Sequence, residues 1–186
     1  MSEPSLPEKI LSIDARLEAA RLPHAFGGAL ALAYYATPRA TVDIDVNVFV
    51  DADRSDEVFD VLAPLGIERP DAREAERLRR DGQARVHWGR TPIDLFFAYD
   101  PFHEACLARR RVVPFGEGET IHVLSAEDLF VFKAIFDRDK DWRDVDELVF
   151  AMNDELDATW ILDWLERIVG RDDARWTRGS TALAKR

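Results

Sequence analysis

Apolar residues along the chain recur with two different periods, and each change of period marks a new element. In residues 7–20, Ile10, Leu11, Ile13 and Leu17 fall at helical spacing and predict a first amphipathic helix. Ala25-Phe26 then runs into Gly27-Gly28 and the stretch 29–35, which predicts a short strand, a tight turn and a helix ended by Pro38. From Val42 to Val50 the period drops to two. Val42, Ile44, Val46 and Val48 share one side of a predicted strand, and Asp43, Asp45 and Asn47 share the other.

Val58, Val61, Leu62 and Leu65 predict a helix over 54–65 that stops at Gly66, whereas 73–80 is charged and has no readable period. Residues 84–88 and 92–98, separated by Gly89-Arg90-Thr91, suit a hairpin that carries Asp94 on its second strand. A short helix over 103–109 and small strands over 112–115 and 120–123 follow. Ser125, with Asp128 three residues later, reads as the N-cap of a helix reaching about Asp137. Further helices are predicted over 141–152 and 158–169, and the tail beyond them gives no signal. Strands first and helices afterwards make an α+β fold, a mixed sheet flanked by helices with a C-terminal helical part. The expected division is a core over 1–124 and a helical part over 125–186 packed as one compact unit, which suits a length of 186 residues.

A hydrophobic fraction of 47% beside 33% charged residues supports a buried core and excludes general disorder. No basic start followed by an apolar run opens the chain, and no stretch reaches the roughly 18–20 apolar residues that span a bilayer, so a soluble cytoplasmic protein without membrane contact is expected. Cys106 is the single cysteine and can make neither an internal disulfide nor a cysteine metal site. His24, His87, His103 and His122 lack zinc-site spacing and are expected to be structural or surface residues. The net charge of −11 argues against a protein that coats nucleic acid. Basic residues do gather locally, at Arg109-Arg110-Arg111 and beyond Arg167, while 125–166 holds 13 acidic against 4 basic residues and would attract a cationic partner.

The candidate chemistry begins with the alternating strand. Side chains two apart point the same way, so Asp43 and Asp45 lie side by side and repel unless a positive group joins them. Magnesium suits such hard oxygen ligands together with substrate phosphates, although a solvated strand face accounts for the same pair. Asp94 lies between Ile93 and Leu95-Phe96-Phe97, where an unpaired carboxylate is costly, so a partner or a metal is expected.

Phe26-Gly27-Gly28, followed by Asp43-Ile44-Asp45-Val46, resembles the glycine and Asp-x-Asp motifs of polymerase-β-like nucleotidyltransferases, and Asp94 matches their third carboxylate. The run from Arg39 to Asp45 and the later Lys133, Arg138, Lys140-Asp141 and Asp144 resemble small bacterial nucleotidyltransferases related to AbiEii-type toxins. The resemblance implies catalytic, metal-binding roles for Asp43, Asp45 and Asp94, with two magnesium ions. It also implies nucleotide-binding roles for Gly27, Gly28, Arg39, Lys133, Asp141 and Asp144. The Gly27-Gly28 turn would offer backbone N–H groups to phosphates of ATP or another NTP.

Two cations allow alternatives. Lys133, the one charged residue between Asp128 and Asp137, fits either a triphosphate contact or a buried lysine pairing with Asp137. Arg39 fits either a phosphate contact or a counter-ion of Asp43 or Asp45. The activity implied is transfer of a nucleoside monophosphate to a hydroxyl of RNA, such as tRNA, or of protein, in the manner of a toxin with a small antitoxin partner. Transfer to an aminoglycoside-like small molecule is the alternative enzymatic reading, and a non-catalytic nucleotide-binding module is the third.

Overall fold

The computed structural model describes residues 3–185. In chain order the elements are α1 (Leu6–Ala19), β1 (His24–Phe26), α2 (Gly28–Leu32), β2 (Ile44–Asp51), α3 (Ser55–Leu62), α4 (Ala72–Asp81), β3 (Gln83–Trp88) and β4 (Thr91–Ala98). They continue with α5 (Pro101–Arg109), β5 (Arg111–Phe115), β6 (Glu119–Val123), α6 (Ala126–Phe136), α7 (Asp139–Met152), α8 (Ala158–Val169) and α9 (Ala174–Leu183). The chain divides into two compact units, Met1–Gly27 with Ala40–Val123, and Gly28–Arg39 with Leu124–Arg186.

The first unit carries a six-stranded mixed sheet in the order β3-β4-β2-β1-β6-β5. β2 runs parallel to β4 and β1 parallel to β6, while β1–β2, β3–β4 and β5–β6 are antiparallel. β2 is central, and its Val46, Val48, Asn47 and Phe49 are all buried. Both faces of the strand are therefore covered past Asp45, which a period of two does not reveal. The strand starts at Ile44 rather than at Val42, and Val42 is 72% exposed instead of joining the apolar side. A buried lysine strengthens the hairpin: Lys9 on α1 donates to the Trp88 carbonyl at 2.9 Å and to Thr91 Oγ1 at 2.8 Å. The charged stretch without a period is α4, which buries only Leu78 and is held at its start by the Asp71 side chain accepting from the Glu74 N–H.

The second unit is helical. α6 buries nearly its whole surface, with Phe130, Val131 and Ala134 at 0% exposure, and each large apolar side chain so buried contributes about 1.5–3 kcal/mol. Ser125 caps α6 as expected, its hydroxyl accepting from the Asp128 N–H at 3.2 Å. α2 is shorter than the predicted 29–35 helix because its last turns close with tighter backbone bonds, from Tyr34 to Ala31 and Tyr35 to Leu32. The tail forms α9, which the sequence pattern did not predict. Gly179 explains why: a Cβ there would sit 2.9 Å from Leu165 Cδ1, so a residue that weakens a helix is used for close packing against α8 and α6.

Candidate functional site

The sheet register assembles one charged row in the first unit. Asp45 on β2 is paired with Asp94 on β4, and Asp94 is paired with Arg85 on β3. Directly paired residues project from the same face of a sheet, so the three side chains stand in line across three strands. Asp43 adjoins the row just before β2, where its N–H donates to Thr41 Oγ1 at 3.2 Å. Arg85 holds Asp94 in a two-pronged bond, Nε to Oδ1 at 2.7 Å and Nη2 to Oδ2 at 2.6 Å. The same Nη2 lies 3.9 Å from Asp43 Oδ2. Bonding to Asp94, together with the charges of Asp94, Asp43 and Asp45, raises the Arg85 pKa well above its ordinary value. Asp94 and Asp43 thus lie within 3.9 Å of one guanidinium, and Asp45 adds its charge to theirs.

These residues fit a divalent cation: the donors are hard oxygens, and the place among them already favours positive charge. The side chains remain accessible, 33% for Asp43, 15% for Asp94 and 43% for Arg85. Arg85 is the residue that the sequence reading missed. The expected three-residue turn would set position 85 opposite 95, whereas the observed two-residue turn at Gly89-Arg90 pairs Trp88 with Thr91 and Arg85 with Asp94.

The Gly27-Gly28 turn is positioned by the same strand. The Gly27 N–H donates to the Asp45 carbonyl at 2.9 Å, so this N–H ties the turn to β2 rather than being offered to a phosphate. Gly28 has a φ of 56°, a backbone conformation that favours glycine.

The second unit holds a separate charge network. Lys133, 4% exposed, donates to Asp144 Oδ2 at 2.6 Å and lies 4.0 Å from Asp141 Oδ1. It does not turn to Asp137 as the sequence alternative had it, because Asp137 accepts instead from Trp142 Nε1 at 2.6 Å. Arg39 binds Asp144 through Nε and Nη2, both at 2.9 Å, and Arg138 binds Asp141 through both carboxylate oxygens. Burial alone would raise the Asp144 pKa, yet the bonds from Arg39 and Lys133 outweigh it and hold the group below its ordinary value.

Other candidates fall outside the row. A cavity of about 370 Å³ lies beside Phe49, Asp51, Tyr99, Asp100, His103 and Glu104. Asp51 lies six positions along the strand from Asp45, roughly 20 Å, so the cavity belongs to the opposite end of β2. His103 is buried in its wall, and burial lowers its pKa. His87 is exposed on β3. His24 and His122, distant in sequence, have ring centroids 5.7 Å apart.

Comparison with known proteins gives a clear result at the level of structure. The antibiotic-resistance factor ANT(2'')-Ia in complex with adenylyl-2''-tobramycin matches over 96% of this chain and 97% of its own, with a TM-score of 0.54 and 14% identity. Its solution structure matches over 99% and 92%, with a TM-score of 0.53 and 15% identity. The chain has a nucleotidyltransferase-like fold. An antigenic nucleotidyltransferase-like protein from Paracoccidioides brasiliensis agrees, with a TM-score of 0.56 at 11% identity over 97% of this chain and 87% of that one. No protein-family model and no curated protein matches the sequence. The likeness to AbiEii-type proteins thus rests on the sequence motifs alone. Among the described residues, no helix is long and apolar enough to cross a membrane.

Proposed function

We propose that this chain is a divalent-metal-dependent nucleotidyltransferase that moves a nucleoside monophosphate from an NTP to a hydroxyl group. The carrying observation is the row itself, with Asp45 and Asp94 in register on adjacent strands and Asp43 reaching the same guanidinium. Asp43, Asp45 and Asp94 would hold magnesium, which supplies charge neutralisation of the triphosphate and a more acidic acceptor hydroxyl. Asp94 takes the proton as the acceptor oxygen forms its bond to the α-phosphorus. The bond from the α-phosphorus to the bridging oxygen breaks, and pyrophosphate leaves. Arg85, in its two-pronged bond to Asp94, orients that carboxylate and occupies the cation's place until metal and substrate arrive.

The resemblance also assigns Arg39 to nucleotide phosphates, and within the second unit Arg39 keeps 42% of its side chain exposed while bonded to Asp144. Lys133, Asp141 and Asp144 then act as positioning residues that hold Arg39 from within the second unit, and Gly27 and Gly28 shape the turn.

The acceptor we assign is a hydroxylated, positively charged small molecule. A net charge of −11 draws such a molecule and repels RNA, and ANT(2'')-Ia, whose structure contains adenylyl-2''-tobramycin, shares the fold. Incubation of the chain with each labelled NTP, magnesium and either aminoglycosides or total RNA and protein tests the reading. Label on the small molecule supports it, and label on RNA or protein moves the acceptor to a toxin-like target. No transfer, with no nucleotide binding by calorimetry, removes the enzymatic proposal altogether.

A further inference from the structure

In the first unit, α1, β1 and β6 bring together donors of a different kind. Asp14 Oδ1, a His24 ring nitrogen and a His122 ring nitrogen all lie within 4.8 Å of one another, the three-ligand cluster found among the described residues. Asp14 and Glu18 stand one turn apart on the same face of α1. His24 Nε2 is 3.0 Å from Asp14 Oδ1, and His122 Nδ1 is 3.9 Å from that oxygen and 3.5 Å from Glu18 Oε1.

The hydrogen bonding leaves this cluster short of one positive charge. His24 Nδ1 lies 3.0 Å from the Leu22 carbonyl, and a carbonyl only accepts, so Nδ1 carries a proton. In the neutral ring, Nε2 then presents a lone pair to the Asp14 carboxylate, and two acceptors at that distance repel. A second proton or a metal ion resolves the conflict. An imidazole whose far N–H is fixed by a backbone carbonyl is also the usual arrangement of a metal-binding histidine. His122 Nδ1 is buried and makes no hydrogen bond. Arg110 opposes a cation here, but its Nη1 donates to the His24 carbonyl at 2.9 Å, and Asp14 and Glu18 set two carboxylates beside His122 from α1.

Ligands about 2.0–2.1 Å from a tetrahedral zinc are separated from each other by roughly 3.4 Å. The separations of 3.0 Å from Asp14 to His24 and 3.9 Å from Asp14 to His122 bracket that value. We propose that Asp14, His24 and His122 form a zinc-type transition-metal site that clips α1 to β1 and β6, with Glu18 at its edge, 3.5 Å from His122 Nδ1. Two imidazoles with carboxylates select zinc or cobalt over magnesium. The site is independent of nucleotidyl transfer and would stabilise the first unit whether or not that reaction occurs.

The test uses the full chain, stripped with a chelator and carrying Asp43→Asn and Asp45→Asn to remove the aspartate row as a competing site. Titration with Co2+ is expected to show one equivalent with the intense visible absorption of a tetrahedral site, displaced by Zn2+ and not by Mg2+. His122→Ala is expected to weaken binding at least about tenfold, with the fold checked by circular dichroism. Glu18→Gln, at an exposed position, gives a smaller loss. Should His122→Ala not fold, the ring-nitrogen resonances of His24 and His122 in the parent protein replace it, and both must shift on addition of Zn2+. Binding unaffected by His122→Ala, or ring resonances indifferent to Zn2+, overturns the proposal, and Asp14–His24 is then a proton-bridged ion pair.

Discussion

Two charge clusters of similar composition sit in the two units, and they are built in opposite ways. In the first unit, Asp43, Asp45, Asp94 and Arg85 stand on strands at an accessible face, with Arg85 43% exposed. In the second, Lys133, Asp141 and Asp144 lie on helices with side chains 3–6% exposed. Breaking a buried pair leaves a desolvated charge without compensation, whereas an exposed pair can exchange one partner for another at little cost. The open cluster therefore suits a ligand that comes and goes, and the closed one suits permanent positioning. This difference, rather than the residue types, separates catalytic from positioning roles in the proposed enzyme.

The comparison predicts that the two clusters fail differently when altered. Asp43→Asn/Asp45→Asn should lower nucleotidyl transfer by about three orders of magnitude, the scale on which loss of key electrostatic groups acts. Its urea midpoint should stay close to that of the parent. A large loss of stability in this variant would break the distinction. Lys133→Met should do the reverse and cost about 3 kcal/mol in urea denaturation, the low end for a broken buried pair because Asp144 keeps Arg39.

Acid should find the second cluster as well. The folded-state pKa of Asp144 lies below its ordinary value of 3.8, so its contribution to stability is complete above that value and lost as pH falls through the lower folded value. Asp144→Asn should flatten this part of the acid-unfolding curve, read by tryptophan fluorescence. The smallest effect should come from Arg85→Gln. Removing the resident guanidinium should lower the half-saturating magnesium concentration for nucleotide binding a few-fold, measured by calorimetry, with stability changed by about 1 kcal/mol or less. Weaker magnesium binding in that variant would show that Arg85 organises the carboxylates rather than competing with the ion.

Much of the architecture was legible from local pattern. The periods located α1, β2, the β3–β4 hairpin, α6 and α8 to within a few residues, because each buries one face or one stripe against its own unit. α4 and α9 escaped for a shared reason: α4 buries only Leu78, and α9 buries Gly179, Ala182 and Leu183, too few apolar positions to make a period. Asp94 could be singled out because a carboxylate in an apolar strand needs a partner, and Asp43 and Asp45 by their spacing together with the family resemblance. Arg85 was overlooked because the expected turn was one residue too long, and a one-residue slip sets position 85 opposite 95 instead of Asp94.

The chain by itself determined its elements and its candidate carboxylates, since both follow from residues near one another in sequence. Tertiary structure alone decided the pairings: Asp94 with Arg85 and Asp45 across strands, Asp144 with Lys133 and Arg39, and His24 with His122 beside Asp14. Charge has no period and acts through space, so which ion meets which depends on strand order and helix packing, and these are settled by the burial of all the other side chains.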